Sequence, residues 1–353
     1  MVWPRSVTLI LAQWLVAVAW LAAPAVGDES SARPAGGLRV AYRAALTLPD
    51  DVSAADGARL KLVGLSGITW LGGDRYAAVM DNSASLIRFH LELAADGTPV
   101  AATAFEPLGL GERHDYEDLA PRLGGAAGVF VCEEDTPTIR AFRLEDGGAD
   151  GTIAVPEILR GRRANRGLEA LALDPDGRHL WTANEEALEA DGPAAAPQAG
   201  TVVRLVRVPL AGAGGAFQAA YRVDPPHGIV PVFAGPTFSG VVAIVALGRD
   251  RLLVLERSAG PGLPPFESRI YLVDTARAAD VSGITGGLAE HRDTFVAKAL
   301  LWSGALGLNL EGLCLGPRLS ANRRALVAIA DNGGLETPTQ VAGFELSAVV
   351  TTP

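Results

Sequence analysis

The chain has 353 residues, a net charge of −10 and a hydrophobic fraction of 49%, enough for a large core. An acidic balance with no basic block argues against nucleic acid and anionic membrane surfaces as partners. With 41 glycines, 23 prolines and few long helical patterns, the composition favours many short strands joined by tight turns.

In chain order, residues 1–27 read as a signal peptide. Arg5 supplies the positive end, Val7 to Ala22 is an apolar run, and Ala25-Val26-Gly27 is a small-x-small cleavage site. The mature protein is then expected to be periplasmic or secreted, free of the membrane after cleavage, with an uncleaved anchor as the alternative. Residues 28–37 read as a flexible leader, and residues 38–353 as a single domain.

Leu38 to Leu48 alternates as a strand, and five similar hairpins follow it. The first is Gly64-Leu-Ser-Gly-Ile-Thr-Trp70 with Tyr76 to Met80 and Asp81-Asn82. The second pairs Tyr116 to Ala120 with Val129 to Asp135, and the third pairs Leu168 to Leu173 with His179 to Ala183 across Asp174-Pro-Asp-Gly177. The fourth joins Phe238 to Ile244 and Leu252 to Glu256, and the fifth joins Asn309 to Cys314 and Ala325 to Ala330. Further strand pairs separate them: Leu86 to Leu93 with Pro99 to Phe105, Thr138 to Leu144 with Thr152 to Ile158, Thr201 to Pro209 with Phe217 to Val223, and Arg269 to Val273 with Thr294 to Leu301. Four strands per unit make a propeller blade. The last unit has only Val341 to Leu346 after its hairpin, and Leu38 to Leu48 is expected to supply the missing strand and close the ring. The predicted fold is an all-β propeller of five four-stranded blades, with a sixth blade hidden in 224–237 and 276–292 as the alternative. Cys132 and Cys314 lie in apolar strands of non-neighbouring repeats and read as buried thiols.

The innermost strand of each blade lines the central channel, so the leading residues of the hairpins, Ser66, Glu117, Glu169, Ser239 and Glu311, are expected to form a ring at one mouth. The trailing acids Asp81, Glu134, Glu185, Glu256 and Asp331 would surround it as candidate catalytic bases. Carboxylates facing one axis repel unless neutralised. Carboxylate and hydroxyl ligands without nitrogen or sulfur select a hard cation, and calcium accepts an irregular cage of oxygens. Arg88, Arg140, Arg204 and Arg269, with Arg166 and Arg257 near the mouth, are candidates for gripping an anionic substrate, the alternative being that they pair with neighbouring acids. His114 and His227 read as loop histidines. Gly-x-Ser-x-Gly is absent, as are phosphate-loop and dinucleotide fingerprints.

Several of these segments resemble the phytase-like esterase family: Gly64-Leu-Ser-Gly-Ile with Asp81-Asn82, Asn165 to Arg178 with Ala183-Asn-Glu-Glu-Ala-Leu188, Leu253-Val-Leu-Glu-Arg-Ser258, and Asn309-Leu-Glu-Gly-Leu313 with Asp331-Asn332. Asp115-Tyr-Glu-Asp118 departs from the family's pattern, keeping the acid but not the small residue behind it. The order Ser, Glu, Glu, Ser, Glu is also similar to the channel ligands of the calcium-activated nucleotidases, which implies that the five leading residues form a calcium cage. Together the resemblances imply an exported calcium-dependent phosphoester hydrolase, monomeric and acting on a small phosphorylated anion. A non-catalytic ligand-binding propeller with a structural calcium, or a calcium-dependent lactonase, is the alternative.

Overall fold

The computed structural model describes residues 37–53, 57, 59–81, 83–124, 127–211, 215–228, 230–231, 235–331 and 338–349. The expected signal peptide and all but the last residue of the expected leader lie outside these, as do Asn82 and Asn332. Among the described residues, no helix is long and apolar enough to cross a membrane.

Five antiparallel sheets of four strands carry the fold. Blade 1 comprises Leu65–Gly72, Arg75–Met80, Ser83–Leu93 and Pro99–His114. Blade 2 comprises Tyr116–Arg122, Gly128–Glu133, Thr138–Arg143 and Ala149–Ile153. Blade 3 is built from Leu168–Leu173, His179–Asn184, Val202–Pro209 and Phe217–Arg222, and blade 4 from Phe238–Ala246, Arg251–Ala259, Phe266–Asp274 and Lys298–Gly304. Blade 5 holds Asn309–Ser320, Arg323–Asp331 and Gln340–Ala348, with Leu38–Thr47 lying antiparallel along the last of these as its outermost strand. The first strand of every blade touches the first strand of the next, and that of blade 5 returns to that of blade 1. Five strands therefore enclose one axis.

The first two strands of a blade read as unbroken apolar runs because neighbouring blades cover both of their faces. Every residue of Gly128–Glu133 is buried, as is all of Phe238–Ala246 except its first residue. The core is a set of inter-blade layers; between blades 3 and 4, for example, Trp181, Leu205 and Tyr221 pack with Ile244 and Val254. Both cysteines are free and buried.

Among the described residues, the two long insertions contain no sixth blade. The described part of the first offers only Val230–Pro231, paired with Gly262–Leu263, and the second holds two single-turn 3-10 helices, Leu288–Glu290 and Arg292–Thr294. Arg204 anchors the second insertion. Its guanidinium is fully buried, pairs with Asp191 through two bonds of 2.7 Å, and donates to the carbonyls of Val281 and Ile284. A side chain so enclosed is a structural tie, which corrects the expectation that Arg204 meets a substrate.

Each innermost strand carries a bulge, an extra residue that re-aims a side chain. The bulges fall at Ser66-Gly67, Glu117-Asp118, Glu169, Val242 and Glu311. At this level the strands approach closely: a Cβ on Gly67 would lie 2.5 Å from the Cα of Asp118, and one on Gly312 would lie 2.7 Å from the carbonyl oxygen of Ser66. Asp118, the residue that departs from the family pattern, occupies the space Gly67 leaves and accepts the Leu119 and Leu171 backbone N–H groups, both at 2.8 Å. Gly67→Ala is therefore expected to destabilise the protein by at least about 1–3 kcal/mol, an overpacking cost borne by backbone. Gly161→Ala, where a Cβ meets nothing within 4 Å, is the near-neutral control in the same denaturant titration.

Candidate metal and anion site at the channel mouth

The pairing register defines equivalent positions in the five blades. Gly64, Asp115, Gly167, Gly240 and Asn309 each stand opposite the residue that leaves the second strand: Asp81, Glu134, Glu185, Arg257 and Asp331. Two positions further along each innermost strand come Ser66, Glu117, Glu169, Val242 and Glu311. In blade 4 the bulge falls three residues later than the Ser-Gly pair suggests, so Val242 stands where Ser239 was expected, and Arg257 replaces Glu256. Successive strand residues face opposite sides. Glu256 consequently points away, accepting from Tyr221 Oη at 2.6 Å, Lys298 Nζ at 2.5 Å and the Asp224 backbone N–H at 3.0 Å. Ser239 is fully buried outside the ring level and its hydroxyl has no hydrogen-bond partner. Blade 4 thus contributes an alkyl group and a cation where an oxygen ligand and an acid were expected.

The remaining groups divide into two halves. In the first, between blades 1 and 2, carboxylate oxygens of Asp81, Asp115 and Glu117 lie within 4.8 Å of one another, and Ser66 Oγ donates to Glu117 Oε2 at 2.9 Å. Glu134 closes this half, its Oε1 accepting from the Gly167 backbone N–H at 2.5 Å. Among the described residues, no Lys, Arg or His lies within ion-pair distance of Glu117 or Glu169. Burial, reinforced by Asp81, Asp115 and Glu134, pushes the Glu117 carboxyl well above the usual range. Glu169 is raised in the same way by burial and then by Glu117, Glu185 and Glu311.

The second half is neutralised internally. Buried Arg257 donates through Nη2 to Glu185 Oε1 at 2.7 Å and through Nη1 to Asn309 Oδ1 at 2.8 Å and to Glu311. Arg166 donates to the other oxygen of Glu185 at 2.7 Å, with Glu186 at 3.7 Å. Both guanidiniums stack on Phe238, at 4.8 and 5.2 Å from its centroid. Burial opposes the charge on Arg257, yet Glu311, Glu185 and Glu169 hold its proton firmly. Glu311 keeps one oxygen, Oε2, without a partner; burial pushes its carboxyl up to about 7, against the pull of Arg257. Two arginines clamp Glu185, so it is an anchor for them rather than the base its sequence position suggested.

The other candidate arginines are elsewhere. Arg88 bonds the Leu144 carbonyl and Glu106, Arg140 pairs with Glu133 and Glu112, and Arg269 holds Glu267 and the Pro225 carbonyl. None of them touches the ring. His114 bonds Asp135 at 3.0 Å, and His227 is buried between Ser258 and the Pro264 carbonyl. Asp115, Asn309 and Phe238 complete the site and were not anticipated. One layer deeper, Ile68, Leu119, Leu171, Ile244 and Leu313, all between 1% and 3% exposed, floor the polar site with aliphatic side chains.

The donor set tests well for a metal. The first half offers oxygen atoms alone, several carboxylates with raised proton affinity, and no internal cation for two of them, which suits a hard divalent ion. The position lies off the axis, towards blades 1 and 2.

The sequence profile of the phytase-like family, described as esterase-like activity of phytase, matches residues 61–334. No curated protein matches the sequence. Among solved structures, the chain is similar to the PQQ-bound aldose sugar dehydrogenase of Streptomyces coelicolor, at 11% identity over 89% of this chain and 100% of that one, with a TM-score of 0.41. It is similar to a luciferin-regenerating enzyme at 12% identity, covering 82% and 92%, with a TM-score of 0.39. The virginiamycin B lyase of Staphylococcus aureus follows at 11% identity, 84% and 73% coverage, and a TM-score of 0.36. Likeness of this grade transfers no chemistry.

Two outcomes are expected of the metal-free protein. A carboxyl whose folded pKa is raised binds its proton more tightly in the native state, so its contribution is complete below the unfolded value of about 4.3 and is lost as pH rises through the folded value. For Glu311 that window ends near 7. Thermal midpoints measured in chelator should fall from pH 5 to pH 8, and the fall should flatten when Glu117, Glu169 and Glu311 are all changed to Gln. Arg257→Met should cost about 3–5 kcal/mol in chelator at neutral pH, because it leaves Glu311 buried without its counter-ion and Glu185 with only one of its two.

Proposed function

The chain belongs to the phytase-like family, and from that premise we propose that it is an exported calcium-dependent phosphoester hydrolase acting at this channel mouth. The observation that carries the reading is the pair of buried carboxylates, Glu117 and Glu169, for which the described residues provide no cation. Asp81, Asp115 and Glu117 would hold the calcium, with the Ser66 hydroxyl and Glu169 completing an oxygen cage. When bound, the ion supplies a Lewis acid that polarises a phosphoryl oxygen and acidifies a water.

The protein's own groups do the rest. Arg166 is the more exposed of the two mouth arginines, 27% against 6% for Arg257, and presents its guanidinium to the incoming anion. Arg257 stays bound within the site and keeps Glu185 and Glu311 from repelling the substrate. Glu134 is fixed through one oxygen by Gly167 and has its proton affinity raised by burial, which suits it to take a proton from attacking water. Asp331, beside Glu311, is the second outer acid that keeps this role open. The aliphatic floor confines chemistry to the mouth, which suits a small phosphorylated substrate.

Calcium titration of the purified protein by calorimetry, beside the Asp115→Asn, Glu117→Gln double variant, tests the reading. Saturable binding lost in the variant, together with p-nitrophenyl phosphate hydrolysis abolished by chelator, is the expected result. Calcium binding without turnover of phosphoesters or lactones would leave the ion structural and the propeller a binding module. Turnover of lactones alone would make it a lactonase. A folded protein that binds no calcium would remove the metal site.

A further inference from the structure

Beneath the aliphatic floor the channel widens again into a cup of about 200 Å³ at the opposite end of the innermost strands. The five residues Ile68, Leu119, Leu171, Ile244 and Leu313 form the floor of the polar site on one side and the bottom of this cup on the other. Trp70 forms one wall, and the guanidinium of Arg324 lies 5.6 Å from its ring centroid. Arg324 donates Nε to the Gly316 carbonyl at 2.8 Å.

Two features of Arg324 are poor for stability alone. It stands directly across the strand pair from Arg318, and like charges facing each other destabilise a sheet. Among the described residues neither arginine has an Asp or Glu within ion-pair distance, in a chain whose net charge is −10. Burial and the Arg318 charge lower the proton affinity of Arg324, as expected of an under-neutralised cation. Asp174, on the cup's other wall, accepts from Trp181 Nε1 at 3.0 Å, and burial pushes its carboxyl up to about 6. An anion therefore belongs on the side of Trp70 and Arg324.

We propose that the cup binds a small amphiphilic carboxylate, its apolar tail on the five-residue aliphatic floor and its carboxylate on the Arg324 guanidinium beside Trp70. Apolar walls with one placed charge are the usual composition of a small-molecule site. The cavity is smaller than the roughly 300 Å³ at which such sites usually begin, so the tail is no larger than a medium-length alkyl chain or a single ring. This site is separate from the acidic mouth and does not depend on its metal.

Calorimetry with octanoate, below its micellar concentration, is the test. One-to-one binding is expected, weakened about tenfold or more by Arg324→Met, since a charge-assisted bond to a carboxylate is lost while the side-chain stem is kept. Acetate, with charge but no tail, and octanol, with tail but no charge, should both bind much more weakly. Glu117→Gln should leave octanoate binding unchanged. Octanol binding as tightly as octanoate, no effect of Arg324→Met, or no saturable binding to a folded protein would overturn the proposal. Loss of octanoate binding in Glu117→Gln would move the ligand to the upper mouth and overturn it as well.

Discussion

Repulsion among carboxylates brought to one axis is the constraint on which the rest of this molecule depends. Packing five innermost strands edge to edge leaves so little room that glycine is required at Gly67 and Gly312. At the same level the bulges turn Glu117, Glu169 and Glu311 into a low-dielectric space, where like charges cannot all ionise without compensation. The protein supplies half of that compensation itself. Arg257 spans Glu185 and Glu311, and Arg166 backs it from the rim. The other half, around Glu117, is left electrostatically unfinished, and the family relationship and the oxygen-only donor set both bear on what completes it.

The two halves also explain why a five-fold fold need not carry a five-fold site. Moving one bulge by three residues in blade 4 exchanges an oxygen ligand for Val242 and an acid for Arg257 without altering the sheet around them. The site becomes polar in the vector sense, with an acidic side and a guanidinium side facing each other across Phe238 and the aliphatic floor. A charge-separated bowl of this kind can orient a ligand between its two sides, which a symmetric acid ring does not do.

Most of the fold was legible because each blade repeats the same hairpin, and a period-2 apolar run followed by a turn is a local signal. The strands Leu168–Leu173, His179–Asn184 and Phe217–Arg222 lie within a residue of their expected limits. In blade 4 the sequence is misleading because Ser239-Gly240 looks like Ser66-Gly67, and nothing local in an unbroken apolar strand reveals where a bulge falls. The register signal was nonetheless present: aligning Leu65, Tyr116, Leu168, Val241 and Leu310 places Val242 in the ring. Asp115 could have been found by the same alignment, two positions before Glu117. The arginines could not be sorted from sequence, since Arg204 and Arg257 differ only in which partners the tertiary structure brings to them. That Asp118 fills the space of Gly67 is equally a relation between strands distant in sequence.

The pairing of Leu38–Thr47 with Gln340–Ala348 has a kinetic corollary. The outermost strand of blade 5 is the first described strand in the chain, and its partner is the last, so this sheet is complete only when the whole domain is available. Contacts of such sequence separation form late and slowly. Until then Gln340–Ala348 presents an open edge, the kind of surface on which unfinished chains join one another. In this architecture the docking of Leu38–Thr47 on Gln340–Ala348 is the step at which competition between folding and aggregation is expected.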